Sequence, residues 1–169
     1  MLIVVSLDDL QASGEIRLWR PLDSGQSVKR CLWLSATTAR TIEELLASLG
    51  GDRAAALAQD LSVFAMGRLL SVPGRLKRLK PPENEIWELI SRRPLPELRL
   101  LGAFIKRDEF VVLQAGPRSS YDNGGWKVAV KEVQREWVRL FGNIPRQSGN
   151  LLEDYVTNTD PDGGAAVPQ

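Results

Sequence analysis

The residues best suited to chemistry in this chain are cations, and most of them lie in its middle. Residues 66–150 hold 16 Lys/Arg against 9 Asp/Glu, although the whole chain carries only +1. They gather in the run Arg75–Lys80 (RLKRLK), at Arg92-Arg93, at Arg99, at Arg118 and, spaced by four, at Lys127, Lys131, Arg135 and Arg139. A basic segment inside a near-neutral chain suits a polyanion or an acidic protein partner. Guanidinium groups grip phosphate through paired N–H donors and ammonium groups hold it as point charges. Arg118 is the leading candidate of this kind, because it follows the Gly116-Pro117 break, where an irregular backbone and a positive charge coincide.

Histidine is absent from the chain. That excludes Ser-His and Cys-His pairs, the HExxH zinc site and Cys/His metal clusters. Catalysis would have to use Lys, Arg, Tyr, Glu or Asp, and neither a metal nor a cofactor is expected. The one cysteine, Cys31, reads as a buried structural thiol. No apolar run approaches the roughly 20 residues needed to cross a bilayer. The opening MLIVVSLDDL has no basic flank and no small-residue cleavage site, so it reads as a strand, not a signal peptide. A cytoplasmic protein with no membrane association is expected.

The elements that would position these cations follow from periodicity. Strands are expected over Leu2–Leu7, Glu15–Arg20 and Val28–Leu34, the last two joined by the turn-rich PLDSGQS as a hairpin. Trp19 and Trp33 would pack a sheet face. Ile42, Leu45, Leu46 and Leu49 recur at helical spacing, predicting a helix over Ser35–Leu49 capped by Thr38 or Thr41. Gly50-Gly51 ends it, and Asp52 would cap a second helix over Arg53–Met66 that folds back on the first. Glu85–Arg92, Leu98–Ile105 and Glu109–Ala115 read as strands, the last two a hairpin with Lys106–Glu109 at its tip. A loop over Ser119–Gly125 then leads into an amphipathic helix, Trp126–Phe141. Its buried side is Val130, Val133, Trp137 and Leu140, and its wet side carries the four spaced cations. Leu151–Val156 would form one docking turn, and the acidic, Gly/Pro-rich segment from Asp160 is expected to be flexible.

Taken in order, residues 38–141 resemble the RelE-type toxin superfamily, most closely its HigB-like, phage-derived branch. Four pieces carry the resemblance: TARTIEELLASLGGDRAAALAQDL, RLKRLKPPENEIWELISR, ELRLLGAFIKRDEFVVLQA and the closing basic helix. They are similar to the family's helical hairpin, its "Leu-Trp-Glu-Leu-Arg" strand, its "Tyr-Arg-hydrophobic … Val-Leu-Leu-His" hairpin and its last helix. The resemblance covers about three fifths of the chain.

The resemblance implies an α+β fold, with a helical hairpin packed on a twisted antiparallel sheet and a C-terminal amphipathic helix. Residues 1–35 would be a β extension of that domain, 36–141 the domain itself and 142–169 an acidic flexible tail. It also implies a ribosome-associated endoribonuclease that cuts messenger RNA, with a cognate antitoxin as protein partner. In that chemistry the RNA's own 2′-hydroxyl is the nucleophile, and the protein binds phosphate and stabilises charge developing on the scissile group. Carried over by position, Arg99 and Arg118 would hold the scissile phosphate and Tyr121 would orient the cleaved nucleotide. Lys77, Arg78, Lys80, Arg92 and Arg93 would grip the flanking RNA. Glu88 stands where some members have a catalytic lysine and many carry Glu. Gln114–Arg118 replaces the frequent "His-Ala-Phe-x-Lys-Lys". The alternative is therefore a catalytically silent module on the same scaffold, binding RNA or an acidic protein in a phage or prophage context. A third expectation is that the acidic tail covers the basic face.

Overall fold

The computed structural model describes residues 5–21, 25, 28–71 and 74–158. Ser6 opens it by capping a short helix, α1 (Leu7–Ala12), in a reciprocal pair with Asp9. That capping box overrides the strand expected over Leu2–Leu7 from Leu7 onward. Val5 and Ser6 lie in no strand, and residues 2–4 lie outside the described residues. Strands β1 (Ile16–Leu18) and β2 (Cys31–Ser35) then pair antiparallel, as the expected hairpin requires. Most of the turn-rich segment between them lies outside the described residues.

Helix α2 (Ala36–Leu49) is capped by Ser35, whose hydroxyl accepts the Thr38 N–H at 3.2 Å. Neither expected cap serves. Thr38 is buried in the first turn, and Thr41 lies inside the helix, donating to the Thr37 carbonyl. Gly50, at φ 93, both ends α2 and begins α3 (Gly51–Ala65), so Asp52 lies within the first turn instead of capping it. A left-handed backbone there is open to glycine at little cost.

The basic run contributes a strand that periodicity alone does not suggest, β3 (Leu76–Arg78). It pairs with β4 (Trp87–Ser91), which pairs with β5 (Leu98–Lys106), which pairs with β6 (Glu109–Pro117), each antiparallel. The sheet has the order β1-β2-β6-β5-β4-β3. Its β2–β6 pairing is parallel, so the sheet is mixed and the expected purely antiparallel one is corrected. The physical reason is connectivity: α2 and α3 carry the chain from β2 to β3 at the far edge, and three antiparallel steps bring it back beside β2 as β6.

Strand alternation divides the core in two. Leu34, Leu89, Leu98, Leu100, Phe104 and Val112 face the α2–α3 hairpin. Trp33, Leu101, Ala103, Val111 and Leu113 face α1 and the last helix, α4 (Gly125–Phe141). Ala129, Val133, Trp137 and Leu140 supply the packed side of α4, with Val130 only half-buried. Arg139 ties this helix to the other end of the sheet through Glu15 at 2.8 Å, while Glu136 of the same helix holds the guanidinium at the same distance.

Two buried arginines hold connections in place. Arg53 in α3 donates to the carbonyls of Ser91 and Pro96 and to the Ser91 hydroxyl, fixing the β4–β5 link that carries Arg92 and Arg93. Arg30 donates to the carbonyls of Phe64, Arg68 and Thr157 and so anchors the segment after α4. In that segment Leu152–Asp154 makes one 3-10 turn, and Tyr155 and Val156 enter the core, which is the docking turn expected there. The acidic segment from Asp160 lies outside the described residues. Cys31 is half-buried, and burial, followed by the Glu109 charge, pushes its thiol up.

The β5–β6 register shifts between Leu101 and Gly102, leaving Leu113 as the extra residue of β6. A Cβ at Gly102 would lie 1.8 Å from the Val111 carbonyl oxygen. Gly102→Ala therefore forces the two central strands apart and should cost about 2 kcal/mol or more. A denaturant midpoint unchanged from wild type would contradict this packing.

Candidate functional site

Helix α4 covers β5 and β6 but leaves the β3–β4 end of the same sheet face open. The result is a cleft of about 880 Å³ between the strands and the helix. Cross-strand register assembles its floor. Lys77 lies opposite Glu88, which lies opposite Leu101, and two pairs along, Ile90 lies opposite Arg99. Because side chains alternate, all of these point toward α4. Lys80 and Arg92 border it at opposite ends of the β3–β4 pair, Trp126, Lys127, Val130 and Lys131 line the helix side, and Arg118 closes the end where β6 stops.

Among the described residues lining the cleft, Glu88 is the one acidic side chain. It is 2% exposed. Its Oε2 lies 3.2 Å from Arg99 Nε without hydrogen-bond geometry, and its Oε1 lies 3.8 Å from Lys77 Nζ. Burial raises its carboxyl above the ordinary value, while Arg99 foremost, then Lys77, Arg118 and Arg92, pull the other way. Desolvation wins, as is common for ion pairs taken out of water.

Arg99 is itself buried and shared between two carboxylates, its Nη2 donating to Glu97 Oε2 at 2.8 Å. Hydrogen bonding to Arg99 lowers the Glu97 carboxyl in turn. Arg118 is half-exposed, sits in a 3-10 turn over Arg118–Tyr121, and donates to Asp122 Oδ1 at 2.5 Å. Its guanidinium lies over the Trp126 ring at 5.6 Å.

Tyr121 does not line the cleft. It is buried beneath the start of α4, its ring stacked on Trp126 at 4.7 Å and its hydroxyl without a partner among the described residues. Burial, then the Glu88 charge, raises its phenol well above the usual range, which suits a positioning group better than an acid.

The remaining candidates separate. Lys77, Lys80, Arg92, Arg99 and Arg118 meet at the cleft, whereas Arg93 lines a neighbouring depression with Arg75 and Asp60. Arg78 alternates to the opposite side of β3 from Lys77, although it too borders the cleft. It pairs with Glu85, donates to the Gly149 carbonyl and lies over Trp87 and Tyr155. Gln114 is likewise engaged, donating to Glu132 of α4 at 2.6 Å. Sequence reasoning missed Lys127 and Lys131 as a wall of the site, treating them as generic wet-side residues. Their i, i+4 spacing around half-buried Val130 was the available signal.

The chain matches no family model, and no curated protein or solved structure is similar to it. No helix among the described residues is long and apolar enough to cross a membrane.

Because the Glu88 carboxyl is raised on folding, its favourable contribution is full below about pH 4, the ordinary carboxyl range, and is lost as pH rises through the raised value. Glu88→Gln lacks that loss. Between about pH 4 and pH 7 the wild-type melting temperature should fall relative to that of Glu88→Gln. A difference between the two that stays constant across this window would contradict the assignment.

Proposed function

We propose that the chain is a toxin-like mRNA interferase of the RelE/HigB type, taking single-stranded RNA into the cleft between the sheet and α4. The observation that supports this most is the convergence of Lys77, Lys80, Arg92, Arg118, Lys127 and Lys131 on one open surface around a buried carboxylate. The order of helical hairpin, strands β4–β6, the arginine after them and the basic helix also follows the four pieces that carry the resemblance.

In this reading the outer lysines draw the sugar-phosphate strand in, and Arg118, with two-pronged donors, meets the scissile phosphate. Arg99, held by Glu88 and Glu97, presents a fixed positive charge below it, which favours the charge that develops as the 2′-oxygen attacks phosphorus. Glu88 is the group of the floor whose raised carboxyl lies nearer neutrality, and it takes the proton of the 2′-hydroxyl. Lys77, half-exposed and 3.8 Å from the same carboxylate, gives a proton to the 5′-oxygen as the P–O5′ bond breaks, leaving a 2′,3′-cyclic phosphate and a free 5′-hydroxyl. The cognate antitoxin would compete for the same cationic surface.

A second reading is a silent module that binds RNA or an acidic protein segment without cutting. One arrangement favours it: Arg99 is already neutralised by two carboxylates, and Glu88 is almost wholly covered.

Two measurements separate these readings. Lys127→Ala with Lys131→Ala should weaken binding of a short single-stranded RNA and lower its log–log salt slope by about 1.4, or roughly 0.7 per lost phosphate contact. Induced expression of wild type should create new 5′ ends within transcripts, and Arg99→Ala with Arg118→Ala should abolish them together with growth inhibition. RNA binding without new ends would establish the silent module. Tighter binding of an acidic peptide than of RNA would overturn the RNA reading.

A further inference from the structure

The end of the cleft at which β6 stops holds an aromatic surface that phosphate binding alone does not explain. Trp126 lines the cleft beside Arg118, while Tyr121 supports the indole from outside the cleft, 4.7 Å away at an interplanar angle of 26°. This backing is rigid. Tyr121 is buried, and Gly125 brings the first turn of α4 so close that a Cβ there would lie 2.6 Å from the Ser120 carbonyl oxygen.

The cover on the cleft side is weak by comparison. The side chain of Arg118 is 41% exposed and its partner Asp122 is 56% exposed. Exposed ion pairs and exposed cation–π contacts each hold a side chain only loosely. A phosphate offers the same guanidinium a stronger two-pronged partner. Lys127, one residue along the helix, and Lys131 add attraction at the same place.

We propose that Trp126 is a base-stacking platform that Arg118 covers in this structure and uncovers when it turns to a phosphate. The ligand recognised is then an unpaired nucleotide of single-stranded RNA. This rests on the reading of the cleft as an RNA site and adds the surface that meets a base. Duplex RNA keeps its base faces against one another and cannot offer one to the indole. An acidic peptide supplies charge for Arg118 but no flat ring to take its place. Stacking tolerates any base, so the platform contributes affinity without reading sequence.

The test compares a short single-stranded RNA with an abasic sugar-phosphate chain of the same length, so that charge is constant and only the bases differ. Wild type should bind the RNA about tenfold more tightly than the abasic chain. Trp126→Ala should weaken RNA binding about tenfold and leave the abasic chain unaffected, while Trp126→Phe keeps most of the preference. As a check that needs no disruptive variant, RNA should quench wild-type tryptophan fluorescence where the abasic chain does not. That difference should vanish in Trp126→Phe. Equal weakening toward both ligands, no weakening at all, or a quench that survives in Trp126→Phe would overturn the platform while leaving the RNA cleft intact. Failure of wild type to bind either ligand would overturn the cleft assignment itself.

Discussion

Glu88 is the charge around which the cationic face is organised. Positive side chains gathered on one surface repel one another, and the strands of that face offer a single carboxylate at their centre. The carboxylate is buried, so holding its charge costs desolvation, and its raised pKa shows that this cost exceeds what Arg99 and Lys77 return. The surface carries a surplus of positive charge because Lys77, Lys80, Arg92, Arg118, Lys127 and Lys131 outnumber that one carboxylate. Arg99 is oriented by Glu88 from one side and Glu97 from the other, while the peripheral lysines remain exposed to whatever enters.

The fold makes this arrangement possible through unequal coverage. The α2–α3 hairpin packs one sheet face along leucines from four strands and Phe110 and Val112 of a fifth. Helix α4 packs the other face only over its β5–β6 side, where Ala103, Val111 and Leu113 are apolar. Beyond Leu101 the inward positions become Glu88, Lys77 and Arg99, and an apolar helix face laid over them would leave the half-exposed Lys77 without water. The cleft exists because the apolar pattern stops there.

Much of the fold was legible because its signals are local. The helical hairpin, the β5–β6 hairpin and α4 each carry a strong period. The misses have physical causes. Strand β3 is only three residues long, and its alternation is masked by flanking cations. The capping box at Ser6 and Asp9 outweighs the β-branched residues before it. Ser35, the last residue of β2, serves as cap because its hydroxyl lies within reach of the Thr38 N–H, which no pattern of threonines reveals. The parallel β2–β6 pairing is non-local. At the site, alternation assigns Arg99 a side of its strand, but only cross-strand register shows that Glu88 lies diagonal to it. Arg78 reads as equivalent to Lys77, yet one step along a strand reverses its side and commits it to Glu85 and the Gly149 carbonyl.

In the proposed function, the open β3–β4–β5 face and the adjoining side of α4 receive a single-stranded RNA. Chemical-shift mapping during titration with a short RNA tests this most directly. Perturbations should concentrate at Lys77, Glu88, Arg99, Trp126 and Lys131, with the α2–α3 face silent. Perturbations centred on α2 and α3, or an unchanged spectrum at saturating RNA, would contradict it.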